Sequence, residues 1–244
     1  EVIMNIQTET HDNTTRLVSA PARPSLSVII PALNEAGNIE KTIINVTRFI
    51  TEYGFSDYEL LFVDSGSTDG TQAVVENLLT REPHLKFIRT VSKGLGDSFR
   101  IGLEAASNDY VGWFPGDNET LPETIRNIFD QIGKYDAILP YTVNPWVRTV
   151  PRRVLSLIYT HTFNLLFGLH LKYFNGTCFF RRELLFPSII TTPSPAYMAE
   201  ILVQLIKKKH ISYIEVPMYI KLRDYGRTSV MKWKNVYLIG KTIL

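Results

Sequence analysis

From Leu26 onward, short runs of β-branched and aromatic residues alternate with amphipathic stretches, and this alternation constrains the fold more than any other feature of the chain. Leu26 to Pro31, Glu59 to Asp64, Leu85 to Thr90, Tyr110 to Phe114 and Asp136 to Tyr141 have the composition and length of strands. Between them Asn38 to Thr51, Gly70 to Arg81, Gly96 to Ala106 and Leu121 to Ile132 carry apolar residues at helical spacing. Repeated strand-helix-strand units favour parallel pairing with the connecting helices packed on the sheet. The expected fold is therefore α/β: one domain over residues 25–229, with a mainly parallel central sheet and helices on both faces. Residues 1–24 are polar, rich in Thr and Asn and without apolar periodicity, and are expected to form a flexible tail.

Ligands of such sheets sit beyond the carboxyl ends of the strands, where the loops converge. The residues just after three of these strands are the polar ones. The first strand ends in Pro31-Ala32-Leu33-Asn34-Glu35, the second in Asp64-Ser65-Gly66-Ser67-Thr68-Asp69-Gly70, the fourth in Pro115-Gly116-Asp117-Asn118-Glu119. These loops would face one crevice.

Charge and composition exclude several classes. A net charge of +2 lacks the concentrated basic excess of a protein that tracks nucleic-acid phosphates, so no nucleic-acid partner is expected. One cysteine, Cys178, rules out an internal disulfide framework and suits a reducing compartment, which makes cytoplasm the expected location. The five histidines have no spacing that would put two imidazoles on one helix face, so a zinc centre is not expected. No stretch reaches the roughly 18 uninterrupted apolar residues of a membrane-spanning helix. Val154 to Leu169, bordered by Arg148, Arg152, Arg153 and Lys172, is amphipathic, and either covers the sheet or lies on a membrane. Residues 230–244, with Trp233, Tyr237 and three lysines, invite the same two readings as a C-terminal amphipathic helix. The pattern stops short at Leu244, so a longer native chain, with a membrane anchor of its own, fits this reading.

Asp64 at a strand tip can accept hydrogen bonds from a nucleobase imide or a ribose, whereas Asp69 is placed to cap the following helix. Lys93-Gly94-Leu95-Gly96 lacks the third glycine of a dinucleotide fingerprint and reads instead as backbone access to phosphate or sugar. Asp117 and Glu119 are alternate loop residues whose carboxylates can converge on a hard cation, Mg2+ or Mn2+, although two acids in a turn are ordinarily solvated. Such a cation would neutralise charge growing on a leaving diphosphate.

Pro31 to Glu35, Val63 to Thr71, Lys93-Gly94 and Asp117 occur in the order seen in family 2 glycosyltransferases, and the chain resembles that family over about Leu26 to Ser229. Further on, Ser156, Asn164 to Leu169, Asn175 to Arg182, Glu200 and Glu215-Val216-Pro217 resemble the dolichyl-phosphate mannose synthase branch. The resemblance implies a GT-A, Rossmann-like fold and an inverting transfer of a hexose-type sugar from a UDP- or GDP-sugar to a polyprenyl phosphate, by an enzyme peripheral to the cytoplasmic membrane face. It implies a donor site of Pro31, Leu33, Glu35, Asp64, Lys93, Gly94, Gly116 and Arg223, with Arg223 reaching the diphosphate. It also implies a metal on Asp117 and Glu119, and Arg152 on the acceptor phosphate with Arg148 assisting. A guanidinium suits that task because it offers a fork of donors whose charge does not titrate away.

Three departures accompany the likeness. Pro115 stands where the family's metal motif has its first aspartate, Ser65 replaces the second aspartate after the second strand, and Gly226-Arg227-Thr228-Ser229 replaces Gly-Glu-Ser-Lys. Two other functions stay open: transfer to a saccharide hydroxyl, with Glu200 as base, and a metal-deficient nucleotide-sugar-binding protein. If the acceptor is a lipid phosphate, Glu200 reads as a structural acid of the helix Tyr197 to Lys209.

Overall fold

The computed structural model describes residues 23–92, 94–186, 190 and 196–226. Its elements run β1 (Leu26–Ala32), α1 (Ile39–Glu52), β2 (Tyr58–Asp64), α2 (Thr71–Leu79), β3 (Leu85–Arg89), α3 (Leu95–Ala105), β4 (Tyr110–Trp113), α4 (Pro122–Phe129), β5 (Ala137–Thr142), α5 (Val150–Phe167), β6 (Phe179–Arg181), α6 (Tyr197–Lys209) and β7 (Tyr213–Met218). Short 3-10 turns occupy Pro145–Val147 and Arg182–Leu185. The strands form one sheet in the order β3-β2-β1-β4-β6-β5-β7.

All pairings in this sheet are parallel except those of β6, which runs antiparallel to both β4 and β5. The strand periodicity did not point to β6, because three residues are too few to show an alternation. Gly112 in β4 explains how it fits: a Cβ there would lie 2.2 Å from the Phe179 ring, so the missing side chain is the space Phe179 fills.

β1 is buried at every residue and feeds two cores, one on each face of the sheet. Val28 and Ile30 point to α1, α2 and α4, where Ile43, Phe49, Val75 and Ile128 close the layer. Ile29 points to the other layer, built by Phe99 and Leu103 of α3, Tyr159 and Phe163 of α5 and Leu202 of α6. The period-2 alternation of the strand against the 3.6-period stripes of the helices produces this three-layer packing.

Local chemistry differs from the expected boundaries at three points. α2 is capped by Gly70 in the left-handed conformation (φ 94°), and Asp69 satisfies the helix from one position upstream, its Oδ1 accepting from the Thr71 amide at 3.1 Å. α5 starts at Val150, four residues before its expected start, because Pro151 at the first helical positions needs no N–H partner there. α4 ends at Phe129, with turns rather than helix through Ile132. Arg23, in the segment expected to be a tail, is docked: its guanidinium donates to the Phe129 carbonyl and lies 5.2 Å and 5.1 Å from the Tyr53 and Phe55 rings. The expected C-terminal helix over 230–244 lies outside the described residues.

Candidate active site

The carboxyl ends of β1, β2 and β4 lie side by side, as their register requires: Ala32 pairs with Asp64, and Ile29 with Trp113. The loop after β1 is held by the loop after β2. Asn34, in the left-handed region (φ 61°), donates its amide to Ser67 Oγ and accepts from the Thr68 amide, while Ala36 N–H donates to Asp69 and Glu35 N–H to Thr71 Oγ1. The hydroxyl-rich motif therefore positions Glu35. Asp64 is buried, its Oδ1 accepting from the Ser67 amide at 3.1 Å.

The loop after β4 turns at Asn118 (φ 56°), and the Glu119 amide donates to Asp117 Oδ1 at 3.1 Å, which aims both carboxylates to one side. Gly116 is needed for close approach: a Cβ there would stand 2.9 Å from the Ala32 Cβ and 3.3 Å from the Pro31 carbonyl oxygen, which accepts from the Gly116 amide. Pro31 is buried behind this contact, Leu33 is partly exposed at the loop surface, and Gly94 precedes α3. Lys93 lies outside the described residues.

At the centre stands Arg223, on the segment that follows β7. Its Nη2 is 2.8 Å from Asp117, its Nε 3.2 Å from Glu119 and its Nη1 3.3 Å from Glu35, so one guanidinium bridges three carboxylates. These four side chains are all at least four-fifths buried. Burial raises the Glu35 carboxyl above its ordinary value against the Asn38 hydrogen bond and Arg223, with Asp117 and Glu119 adding to the rise. Burial likewise raises Glu119, and the neighbouring Asp117 charge pushes it further. For Arg223 burial opposes the charge, but Asp117 and Glu35 outweigh it and hold the guanidinium above its ordinary value.

Arg152 completes the site from the first turn of α5. Burial lowers it, and so does the like charge of Arg148, while Glu119 and Asp117 act in the opposite direction. Arg148 donates from Nη1 to the Tyr173 hydroxyl at 3.0 Å, and its Nε is buried with no hydrogen-bond partner. The crevice thus has an acidic half and a basic half in electrostatic contact. Glu200 stands in the first turn of α6, one turn after Tyr197, which packs on Trp113 and Phe99.

The oxygen donors of Asp117 and Glu119 suit magnesium or manganese in chemistry. Among the described residues, however, no three acidic, imidazole or thiolate groups are arranged to hold a metal ion. The place between the acids is taken by Arg223, for which the family resemblance implies a role on the donor diphosphate. Sequence reasoning also missed Glu35 as a partner of Asp117 and Glu119, because the two loops are more than 80 positions apart and meet only once the β1–β4 pairing sets them side by side.

Comparison with solved structures identifies the fold. Glucosyl-3-phosphoglycerate synthase of Mycobacterium tuberculosis, in complex with Mg2+ and UDP, superposes with a TM-score of 0.69 at 18% identity, covering 90% of this chain and 78% of that one. The fold is that of GT-A glycosyltransferases. The chain belongs to glycosyl transferase family 2, whose sequence profile matches residues 27–186. Curated relatives include the GalNAc(5)-diNAcBac-PP-undecaprenol beta-1,3-glucosyltransferase of Campylobacter jejuni, 29% identical over 110 residues, which cover 44% of this chain and 34% of that protein. Glycosyltransferase AglE of Haloferax volcanii is 37% identical over 95 residues, 38% of this chain and 31% of that protein. The chain matches about a third of the length of these relatives.

Proposed function

We propose that this domain transfers a hexose-type sugar from a UDP- or GDP-sugar to a polyprenyl phosphate at the cytoplasmic face of a membrane, with inversion at the anomeric carbon. The carrying observation is the juxtaposition of Glu35, Asp117 and Glu119 with Arg152 and Arg148, two neighbouring arginines whose mutual repulsion a bound phosphate would relieve. A magnesium or manganese ion on Asp117 and Glu119 would neutralise charge on the departing nucleotide diphosphate. Pro31, Leu33, Glu35, Asp64, Gly94 and Gly116 line the donor side, to which the family resemblance also assigns Lys93. Arg152 and Arg148 orient the acceptor phosphate so that its oxygen bonds to the anomeric carbon as the bond to the diphosphate oxygen breaks. That oxygen is already anionic, so positioning suffices and no strong base is needed.

α5 supports the membrane part of this reading. Tyr159 and Phe163 are its buried residues. Val150, Val154, Leu157, Ile158 and Leu165 form an apolar stripe on the opposite side, Leu157 being 71% and Leu165 76% exposed, with Trp146 beside the helix start at 70%. An exposed stripe of this extent beside arginines fits a helix lying in a lipid interface. No described helix is long and apolar enough to cross a membrane. A second reading, transfer to a hydroxyl with Glu200 as base, draws on the 35% identity over 105 residues to glucosyl-3-phosphoglycerate synthase.

The test is calorimetric titration of UDP and GDP, each with and without manganese, on the wild type and on Asp117→Ala. Manganese-dependent binding of one nucleotide, lost in the variant, is the expected result and identifies the base. Metal-independent binding sinks the role given to Asp117. Flotation with anionic liposomes that fails for the wild type removes the membrane surface and favours the hydroxyl acceptor.

A further inference from the structure

Three buried carboxylates that meet in one place need a counter-charge, and one guanidinium supplies a third of it. We propose that Arg223 is the resident cation of this site and exchanges with the divalent metal, so that the nucleotide-free enzyme binds metal weakly and the donor diphosphate triggers the exchange. This rests on the metal-dependent reading above and adds to it an order of events.

Two observations carry it. The first is placement: each nitrogen of the guanidinium faces a different acid, and two of those acids, Asp117 and Glu119, are the residues with which a metal would bind. A dication on the same oxygens would meet the Arg223 charge at contact distance inside a site where water screens little, so both cannot stay. The second is the backbone that carries Arg223, which is fixed on both sides of it. Lys221 N–H donates to the Glu119 carbonyl, Asn38 Nδ2 donates to the Tyr225 carbonyl at 3.1 Å, and Asp224 pairs with Lys41 at 3.0 Å. The strap is thus held by contacts of its own, and the three ion pairs of the guanidinium are side-chain contacts that can be exchanged for others without undocking it. A diphosphate arriving beside Asp117 offers the guanidinium new acceptors, and the released carboxylates then accept the metal. Metal and nucleotide become reciprocally coupled, each raising the affinity of the other.

The experiment titrates manganese chloride into nucleotide-free protein, following free Mn2+ by electron paramagnetic resonance, for wild type, Arg223→Gln, Arg223→Lys and Arg223→Gln/Asp117→Ala. Arg223→Gln is expected to bind manganese at least about tenfold more tightly than wild type, with the gain lost in the double variant. Arg223→Lys keeps the charge, and is expected to stay near wild type; it also serves as the folded control. A repeat with UDP and with GDP is expected to tighten manganese binding in wild type and much less in Arg223→Gln. Unchanged or weaker manganese binding by nucleotide-free Arg223→Gln overturns the exchange even where wild type binds metal with nucleotide through Asp117. Absence of manganese binding to wild type with either nucleotide overturns the metal-dependent reading itself and the exchange with it.

Discussion

The sheet buries carboxylates at both of its ends, and the two ends treat them in opposite ways. At the amino end Glu59 of β2 accepts from Ser27 Oγ at 2.6 Å, from the Ser107 amide at 2.7 Å and hydroxyl at 2.9 Å, and pairs with Lys86 at 2.6 Å. Burial works against its charge, but Lys86, Ser27 and Ser107 outweigh burial and hold the carboxyl below its ordinary value. At the carboxyl end three acids share Arg223, and burial together with mutual repulsion keeps Glu35 and Glu119 above theirs. A fully satisfied acid contributes to the fold, whereas acids left short of counter-charge are held ready for a ligand.

The largest effect that would sharpen this contrast is on turnover. Asp117→Ala is expected to lower kcat/KM for sugar transfer by about a thousandfold or more while leaving the thermal midpoint of the nucleotide-free protein unlowered. A variant that unfolds but transfers normally once refolded would reverse the assignment of the two ends. Next, Arg152→Gln should cost about a hundredfold in kcat/KM, seen mainly as a raised KM for the phosphate acceptor in steady-state assays. At the other end Glu59→Gln leaves Lys86 without its partner and is expected to lower stability by about 2 kcal/mol, a fall of about 4–8 °C in Tm by calorimetry. Glu119→Gln should do the opposite and raise stability at neutral pH by about 1 kcal/mol.

The pH dependence separates the ends further. Glu59 is depressed in the folded state, so its contribution is present above the unfolded carboxylate value near 4.5 and is lost as pH falls through the folded value. Glu35 and Glu119 are raised, so the folded protein holds protons the unfolded chain has released, and stability declines as pH rises from about 4.5 through their folded values. Urea unfolding from pH 4 upward should therefore show the upper decline shrink in Glu119→Gln and the acid-side loss shrink in Glu59→Gln.

Much of the parallel part of the fold was legible, because β1 to β5 and α1 to α4 follow the alternation of strand and helix spacing closely. The polar strand-end loops were legible for the same reason, and the structure brings Glu35, Asp117 and Glu119 of two of them together; Arg152 and Arg223, which only the family resemblance pointed to, stand beside these acids. What stayed hidden depends on partners distant in sequence. Glu59 only opens a strand in the sequence, where nothing shows that Ser27, Lys86 and Ser107 will surround it from three other segments. The bridging of three acids by Arg223 likewise needs the segment after β7 to fold back over the loop after β4, a contact made through the Thr120–Ile220 bridge. Of the two readings of α5, the structure shows the packing on the domain, through Tyr159 and Phe163, and leaves the other side exposed.

β6 has a further consequence for how such a domain can change over time. It is a three-residue seam between two blocks of parallel strands: β1 to β4 carry the loops around Glu35, Asp64 and Asp117, while β5 and β7 lead into Arg148, Arg152 and Arg223. Its register with β5 runs only from Ala137–Phe180 to Ile138–Phe179, against the full length of β1 beside β2. The junction is short in register but tightly packed, with Phe179 seated over Gly112 and against the Phe114 and Phe129 rings. On the roles proposed above, a change at Gly112 or Phe179 would therefore reach both the loops assigned to the nucleotide and those assigned to the acceptor, so this seam ties the two halves of the site to one packing solution.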